Sequence, residues 1–173
     1  GLPVVLLGHT VGRFSKPEDL QAWRACAQHL ALLTTRDQLT YDYLQSVDGL
    51  APHTEVCADV AFGLTPALQA SQPKFPGPPK PCIALSVSKG LHRWCDLSAT
   101  EHFQAWLSLL AEFIHRWDVN ILMIPHVQEP YGDDRQLATD LHRAMGFDAR
   151  IHVAAEDLSA SEYKCLMSTC DMV

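Results

Sequence analysis

Short apolar runs alternate with segments of helical periodicity along the whole chain, and each apolar run ends in polar residues. The clearest run is ILMI at residues 121–124. A continuous apolar run of this kind is typical of a parallel strand that is covered on both faces. Leu137, Leu141 and Met145 then recur at helical spacing, which predicts a helix behind the strand. The pattern predicts an α/β protein in which strands and helices alternate.

The pattern predicts six strands joined by helices, at residues 4–7, 32–34, 55–58, 82–87, 121–124 and 151–154. A further strand is expected to start at residues 170–173. The spacing of a capping box predicts helix starts at Ser15, Ser98 and Ser159. The longest predicted helix carries an apolar stripe that we expect in the core, formed by Phe103, Trp106, Leu107, Leu110, Phe113, Ile114 and Trp117.

Residues 72–81, QPKFPGPPKP, separate two halves of the pattern. Proline at this density continues neither a helix nor an inner strand, so we expect a semi-extended linker. Residues 1–71 are then the C-terminal part of a first Rossmann-like unit, and residues 82–173 are the N-terminal part of a second. Both parallel-sheet units are expected to be incomplete.

Composition narrows the function classes. The chain of 173 residues has a formal charge of -7 and no run of basic residues, which argues against a nucleic-acid partner. No apolar stretch reaches the length of a membrane span. The six cysteines form no C-x-x-C pair, so we expect reduced, buried thiols rather than a metal site. This favours a cytoplasmic location, which can include the inner face of the membrane.

Polar side chains with useful chemistry follow the predicted strands. If the strands are parallel, the carboxyl ends of each sheet bring these side chains to one rim, and the two rims would face each other across the linker. Such a cleft, with cations and helix N-termini, suits a phosphorylated or nucleotide-linked ligand. The candidate residues are His9, Thr10, Arg13, Arg36, Asp59, Ser88, Lys89, His126 and Glu156.

His126 is the first candidate among them, because it follows the most strongly apolar strand. An imidazole is a competent acid or base near neutral pH. The plainer alternative is that His126 satisfies a local backbone carbonyl. Arg36 has the alternative of an ion pair at a helix start, and Lys89 that of a solvated charge. Asp133 and Asp134 are most simply helix N-caps.

The chain resembles the polysaccharide pyruvyl transferase family. The resemblance rests on an ordered set of segments rather than on any one motif: GHTVGRF at 8–14, TRD at 35–37, ADVAF at 58–62, IPHV at 124–127 with the acidic pair at 133–134, LSASEYK at 158–164, and the final CD at 170–171. It departs from the family pattern at Arg13, where the family often has proline. The chain also stops just before the family's R-x-H element, which implies that part of the active site lies outside these residues.

The resemblance implies a two-domain fold like that of GT-B glycosyltransferases. It also implies transfer of a pyruvyl group from phosphoenolpyruvate to two hydroxyls of a sugar in a polysaccharide or its precursor, such as a lipid-linked oligosaccharide. The products are a cyclic ketal and phosphate. No cofactor is predicted, and no residue is assigned as a metal ligand. His126 is the expected proton carrier or ligand-positioning group, and Arg13, Arg36 and Lys89 are the expected anion partners.

Two alternatives remain open from the sequence. A nucleotide-sugar-dependent glycosyltransferase could use the same two-unit scaffold, because fold alone does not decide chemistry. A non-catalytic carbohydrate-binding protein could retain the cleft without the reaction.

Overall fold

The computed structural model of the chain describes residues 2–68, 79–128, 132–154 and 157–173. These residues form two parallel sheets of three strands each, with five α-helices between and after the strands. The predicted fold class of parallel, Rossmann-like α/β units is thereby confirmed. The chain divides into two compact units, Gly1–Leu64 and Thr65–Val173. Most of the predicted linker lies outside the described residues, so its boundaries stay a prediction.

Unit 1 is a parallel β-α-β-α-β arrangement whose three strands lie side by side in chain order. Its core contains Leu33, Leu44 and Ala51, which bring the central strand and the second helix together. The elements are β1 (Val4–His9), α1 (Pro17–Ala27), β2 (Leu30–Thr35), α2 (Gln38–Ser46), β3 (Thr54–Val56) and a 3-10 helix at Val60–Gly63.

The three strands of unit 2 also lie side by side in chain order and are all parallel. Met172 pairs in parallel with Ile83 in the first of these strands, so a strand-like segment follows the last helix, as predicted. The elements are β4 (Cys82–Val87), a 3-10 helix at Leu91–Trp94, α3 (Ala99–Glu112), a π-helical turn at Phe113–Trp117, β5 (Asn120–Pro125), α4 (Asp134–Ala144), β6 (Ile151–Val153) and α5 (Ala160–Met167).

Strand β5 is buried along its whole length. Ile121 and Met123 belong to one apolar cluster, whereas Leu122 and Ile124 belong to another. Because successive strand residues point to opposite faces, the sheet of unit 2 is covered on both sides. Each of these side chains contributes roughly 1.5–3 kcal/mol by burial, which fixes the strand that carries His126 at its end.

Two of the three predicted capping boxes are confirmed. Ser98 and Ser159 each cap a helix: the serine hydroxyl accepts the backbone N–H of the glutamate three residues later, and the glutamate carboxylate accepts the backbone N–H of the serine. The prediction at Ser15 is wrong: α1 begins at Pro17, and its N-cap residue Lys16 makes no side-chain cap. Proline has no backbone N–H, and its fixed φ suits the first helical position, which favours a helix that starts at Pro17.

The predicted core stripe of α3 is confirmed except at its end. Leu110 and Ile114 are fully buried, but Trp117 is 62% exposed. The π-helical turn takes more residues per turn than an α-helix, so Trp117 rotates away from the stripe. The cysteines also differ from expectation: all six are free, yet none is buried, and Cys26 and Cys95 are exposed.

Candidate active site

The exits of β1 and β2 lie side by side in unit 1. Thr35 pairs with His9 in β1 and with Val56 in β3. Since the strands are parallel, the next residues, Thr10 and Arg36, leave the sheet at the same edge. The backbone N–H of Arg36 donates to the carbonyl of His9 at 3.1 Å, which joins the two exits.

Three of the predicted site residues meet around one guanidinium. Arg36 donates from Nε to the hydroxyl of Thr10 at 2.5 Å and from Nη1 to Asp59 Oδ2 at 2.6 Å. Thr10 in turn donates to Asp37 Oδ2 at 2.9 Å. The backbone N–H of Ala61 and the Arg36 guanidinium hold the pKa of Asp59 below its usual range. Arg36 is therefore oriented from two sides.

In this arrangement the guanidinium of Arg36 is still accessible to a ligand. Its side chain is 48% exposed, and its Nη2 group has no hydrogen bond within the described part of the chain. A planar guanidinium held in one orientation suits a carboxylate or phosphate. His9 and Arg13 lie on either side of Thr10 in the segment at the end of β1, and both are exposed.

Gly8 shapes the turn that carries these residues. It has a φ of 62°, and a side chain there would meet Val60 Cγ1 at 3.1 Å. Its N–H donates to the hydroxyl of Thr34 at 2.7 Å, a contact that the sequence did not predict. Glycine is favoured here because a residue with a Cβ atom would be strained in this backbone conformation and would press against Val60.

In unit 2 the exits of β4 and β5 are also adjacent. Val87 and Pro125 are register partners in the parallel pair, so the residues that follow them, Ser88 and His126, leave the sheet at the same edge. His126 is exposed, and within the described residues no group hydrogen-bonds its imidazole. Lys89 is likewise exposed. The local alternative for His126, that it satisfies a backbone carbonyl, finds no partner in this part of the structure.

Asp134 joins these two exits. Its carboxylate accepts the N–H of Lys89 at 2.7 Å and the N–H of Val127 at 3.0 Å. The side chain is buried, with 1% exposure. The prediction that Asp134 is an N-cap is therefore wrong. Its neighbour Asp133 is the N-cap of α4 and accepts from the N–H of Arg135.

A polar cluster extends the edge toward α5. Arg135 pairs with Asp133 at 2.8 Å and with Asp157 at 3.0 Å. Its guanidinium holds the pKa of Asp133 below the usual range. Gln128 donates to the hydroxyl of Tyr163 at 2.9 Å. The contacts of Arg135 with Asp157 and of Gln128 with Tyr163 join residues far apart in sequence, so the sequence alone did not predict them. The predicted residue Glu156 lies outside the described residues.

Neither a metal cluster nor a membrane span is seen within the described ranges. No group of three or more His, Cys, Asp or Glu side chains there could hold a metal ion. Among the helices that the structure describes, none combines the length and apolar character that a membrane crossing requires.

Parallel α/β units with polar groups at the carboxyl ends of their strands define a class of ligand-binding proteins that includes many transferases. The sequence model of the family described as "Polysaccharide pyruvyl transferase" matches residues 1–173, the whole chain. The protein therefore belongs to the polysaccharide pyruvyl transferase family, as the ordered motifs predicted. No match to the chain was found among curated proteins.

Proposed function

We propose that the protein transfers a pyruvyl group from phosphoenolpyruvate to two hydroxyls of a sugar in a polysaccharide or its lipid-linked precursor. The observation that carries the proposal is the register of β4 and β5, which brings Ser88 and His126 to one sheet edge in a chain of this family. The fold we propose is the two-unit GT-B kind, and the location is cytoplasmic, which the free cysteines support.

The reaction requires balanced proton transfers. The methylene carbon of phosphoenolpyruvate takes a proton, the two sugar hydroxyls attack the adjacent carbon, and the bond from that carbon to the phosphate oxygen breaks. Of the two hydroxyl protons, one balances the new methyl group and the other leaves with phosphate. His126 is the proposed proton carrier, because an exposed imidazole can both give and accept a proton near neutral pH.

The anionic donor needs cationic partners. Ser88 and Lys89 follow Val87, which is the register partner of Pro125, the residue before His126. We assign Ser88 and Lys89 to the phosphate or carboxylate of the donor. In unit 1 we assign anion contacts to Arg36 and Arg13. His9, Thr10 and Asp59 complete that edge, where Thr10 and Asp59 orient the guanidinium of Arg36. Glu156 remains a proposed contact from the exit of β6.

The test is phosphate release from phosphoenolpyruvate by the full-length protein, with and without a panel of sugar acceptors. We expect release that depends on acceptor and a product with one added pyruvate ketal, detected by mass spectrometry. His126→Ala should lower kcat by about 100- to 10,000-fold, the range for loss of a general acid or base. His115→Ala is the matched control, because His115 is exposed in the π-helical turn before β5, at the opposite end of that strand from His126.

Unchanged turnover of His126→Ala at saturating substrate would exclude His126 as the proton carrier. Transfer from a nucleotide-sugar, with no release from phosphoenolpyruvate, would replace the proposal by a glycosyltransferase. Glycan binding without either reaction would indicate a carbohydrate-binding protein.

A further inference from the structure

The carboxylate of Asp134 is placed where the two proposed catalytic loops separate. Strand pairing holds the chain together as far as Val87 and Pro125. Beyond these residues the backbone leaves the sheet, and the ladder of strand hydrogen bonds ends. Among the hydrogen bonds of the described residues, those to Asp134 are the ones that join the two loops, at Lys89 and Val127.

Each carboxylate oxygen of Asp134 binds one of the two loops. Oδ1 accepts from Lys89 N at 2.7 Å, and Oδ2 accepts from Val127 N at 3.0 Å. The N–H of Asp134 itself donates to the carbonyl of Val127 at 2.8 Å. Hydrogen bonds to a charged acceptor are stronger than neutral ones, and this acceptor is shielded from water. These bonds fix the backbone at Lys89 and at Val127, the residue that follows His126.

The neighbouring residue, Asp133, makes no such bridge between the two loops, although it lies at the same helix start. Asp133 accepts from Arg135, through the backbone N–H at 2.9 Å and through the guanidinium. Its side chain is 29% exposed. Asp133 thus supports α4 locally, whereas Asp134 bridges the exits of β4 and β5.

We propose that Asp134 is a positioning residue, whose buried carboxylate sets the placement of His126 relative to the loop of Ser88 and Lys89. This rests on the proposed function, in which those residues act on one donor molecule. Asn in place of Asp134 has nearly the same shape, but it offers one acceptor oxygen and one NH2 group. One backbone N–H would then face a donor and remain unpaired.

The experiment compares wild type, Asp134→Asn and Asp133→Asn in the full-length protein. The first measurement is the exchange rate of the amide hydrogens of Lys89 and Val127. We expect protection of both amides in wild type and in Asp133→Asn, and loss of protection for at least one in Asp134→Asn. The second measurement is phosphate release from phosphoenolpyruvate. Asp134→Asn should lower kcat about 100-fold, the effect of a misplacement of roughly 1 Å, with a smaller change in KM.

A double-mutant cycle separates positioning from a loss of stability. In the His126→Ala background, Asp134→Asn should cost little further kcat, because the group that it positions is already absent. An equal loss of kcat in both backgrounds, or wild-type kcat in Asp134→Asn, would overturn the inference.

The amide measurement keeps the two proposals distinct. If wild type releases no phosphate from phosphoenolpyruvate, the proposed function fails, and amide exchange alone decides whether Asp134 holds the loops. If Asp134→Asn does not fold, wild type still decides: amides of Lys89 and Val127 that exchange at unprotected rates contradict the bridge.

Discussion

Arg36 Nη1 lies 2.6 Å from Asp59 Oδ2, so the exit of β2 is joined to the segment that follows β3. The same carboxylate accepts the N–H of Ala61 through its other oxygen at 2.9 Å. Asp59 therefore has two roles: it caps the 3-10 helix after β3, and it orients the guanidinium of Arg36. The position of Arg36 depends on a residue that is far from it in sequence.

Asp59→Asn should weaken the binding of the anionic donor. The variant keeps the bond from Ala61 but turns an NH2 group toward Arg36, which then loses its fixed orientation. We expect KM for phosphoenolpyruvate to rise about tenfold, the value of one charged hydrogen bond. Steady-state kinetics will measure this. Asp140→Asn, which breaks an exposed pair with Arg143, is the control and should leave KM unchanged; equal KM values for both variants would contradict the role of Asp59.

Gly8→Ala should destabilise unit 1 by about 1–2 kcal/mol, the cost of a left-handed backbone conformation for a residue with a Cβ atom. The new methyl would also press against Val60. Gly12→Ala is the matched control in the same segment, since nothing lies within 4 Å of the place that its new methyl group would occupy. It should leave the stability unchanged or raise it by up to about 1 kcal/mol. Urea unfolding will compare the two, and similar values would argue against strain at Gly8.

Leu110→Ala should cost about 2–5 kcal/mol, because Leu110 is fully buried against the sheet of unit 2. Leu109 is the adjacent residue on the outer side of α3, with 39% exposure. Leu109→Ala should stay within about 0.5 kcal/mol of wild type. Chemical denaturation of both variants checks the assignment of faces, and a large loss at Leu109 would place the wrong face of α3 on the core.

The pair of Asp148 and Arg150 predicts a pH-dependent stability. The Arg150 guanidinium holds the pKa of Asp148 at about 2, below the ordinary value of 3.8. A lowered folded-state pKa stabilises the protein above the unfolded-state pKa, and this contribution is lost as the pH falls from 3.8 through about 2. Asp148→Asn should therefore cost about 1–2 kcal/mol at pH 7, after allowance for partial exposure of the pair.

The measurement is urea unfolding of wild type and Asp148→Asn between pH 7 and pH 2. The difference in unfolding free energy should shrink as the pH falls and vanish near the lower end. Glu112→Gln, which breaks an exposed pair with Arg116, serves as control and should change stability little at any pH. A difference that stays constant down to pH 2 would rule out the ion pair as its source.

The sheets could be predicted from sequence because their signal is local. Residues 82–87 and 121–124 are apolar runs, and both lie in parallel strands, the first with the predicted limits. The edge of each sheet at which the candidate residues lie, Arg36 in unit 1 and His126 in unit 2, followed from parallel pairing alone. Asp134 could not be assigned, because Asp133 and Asp134 are equivalent in sequence. Packing decides that one caps α4 at the surface and the other turns inward.

Trp117 and Ser15 were mispredicted for a similar reason. If the helical period stayed regular, the apolar stripe of α3 would include Trp117. The backbone instead changes to a π-helical turn at Phe113–Trp117. The spacing at Ser15 fits a capping box, yet the helix begins at Pro17 without one. Both depend on a local backbone choice that residue type alone does not determine.

The π-helical turn at Phe113–Trp117 also has a consequence for tolerance to change. A wide turn holds one residue more than the α-helical turn that would occupy the same length. Deletion of a single position there would allow the backbone to tighten into an ordinary α-helix, while the segment before it kept its packing. This site should therefore accept a one-residue length variant that a regular stretch of the same helix would not.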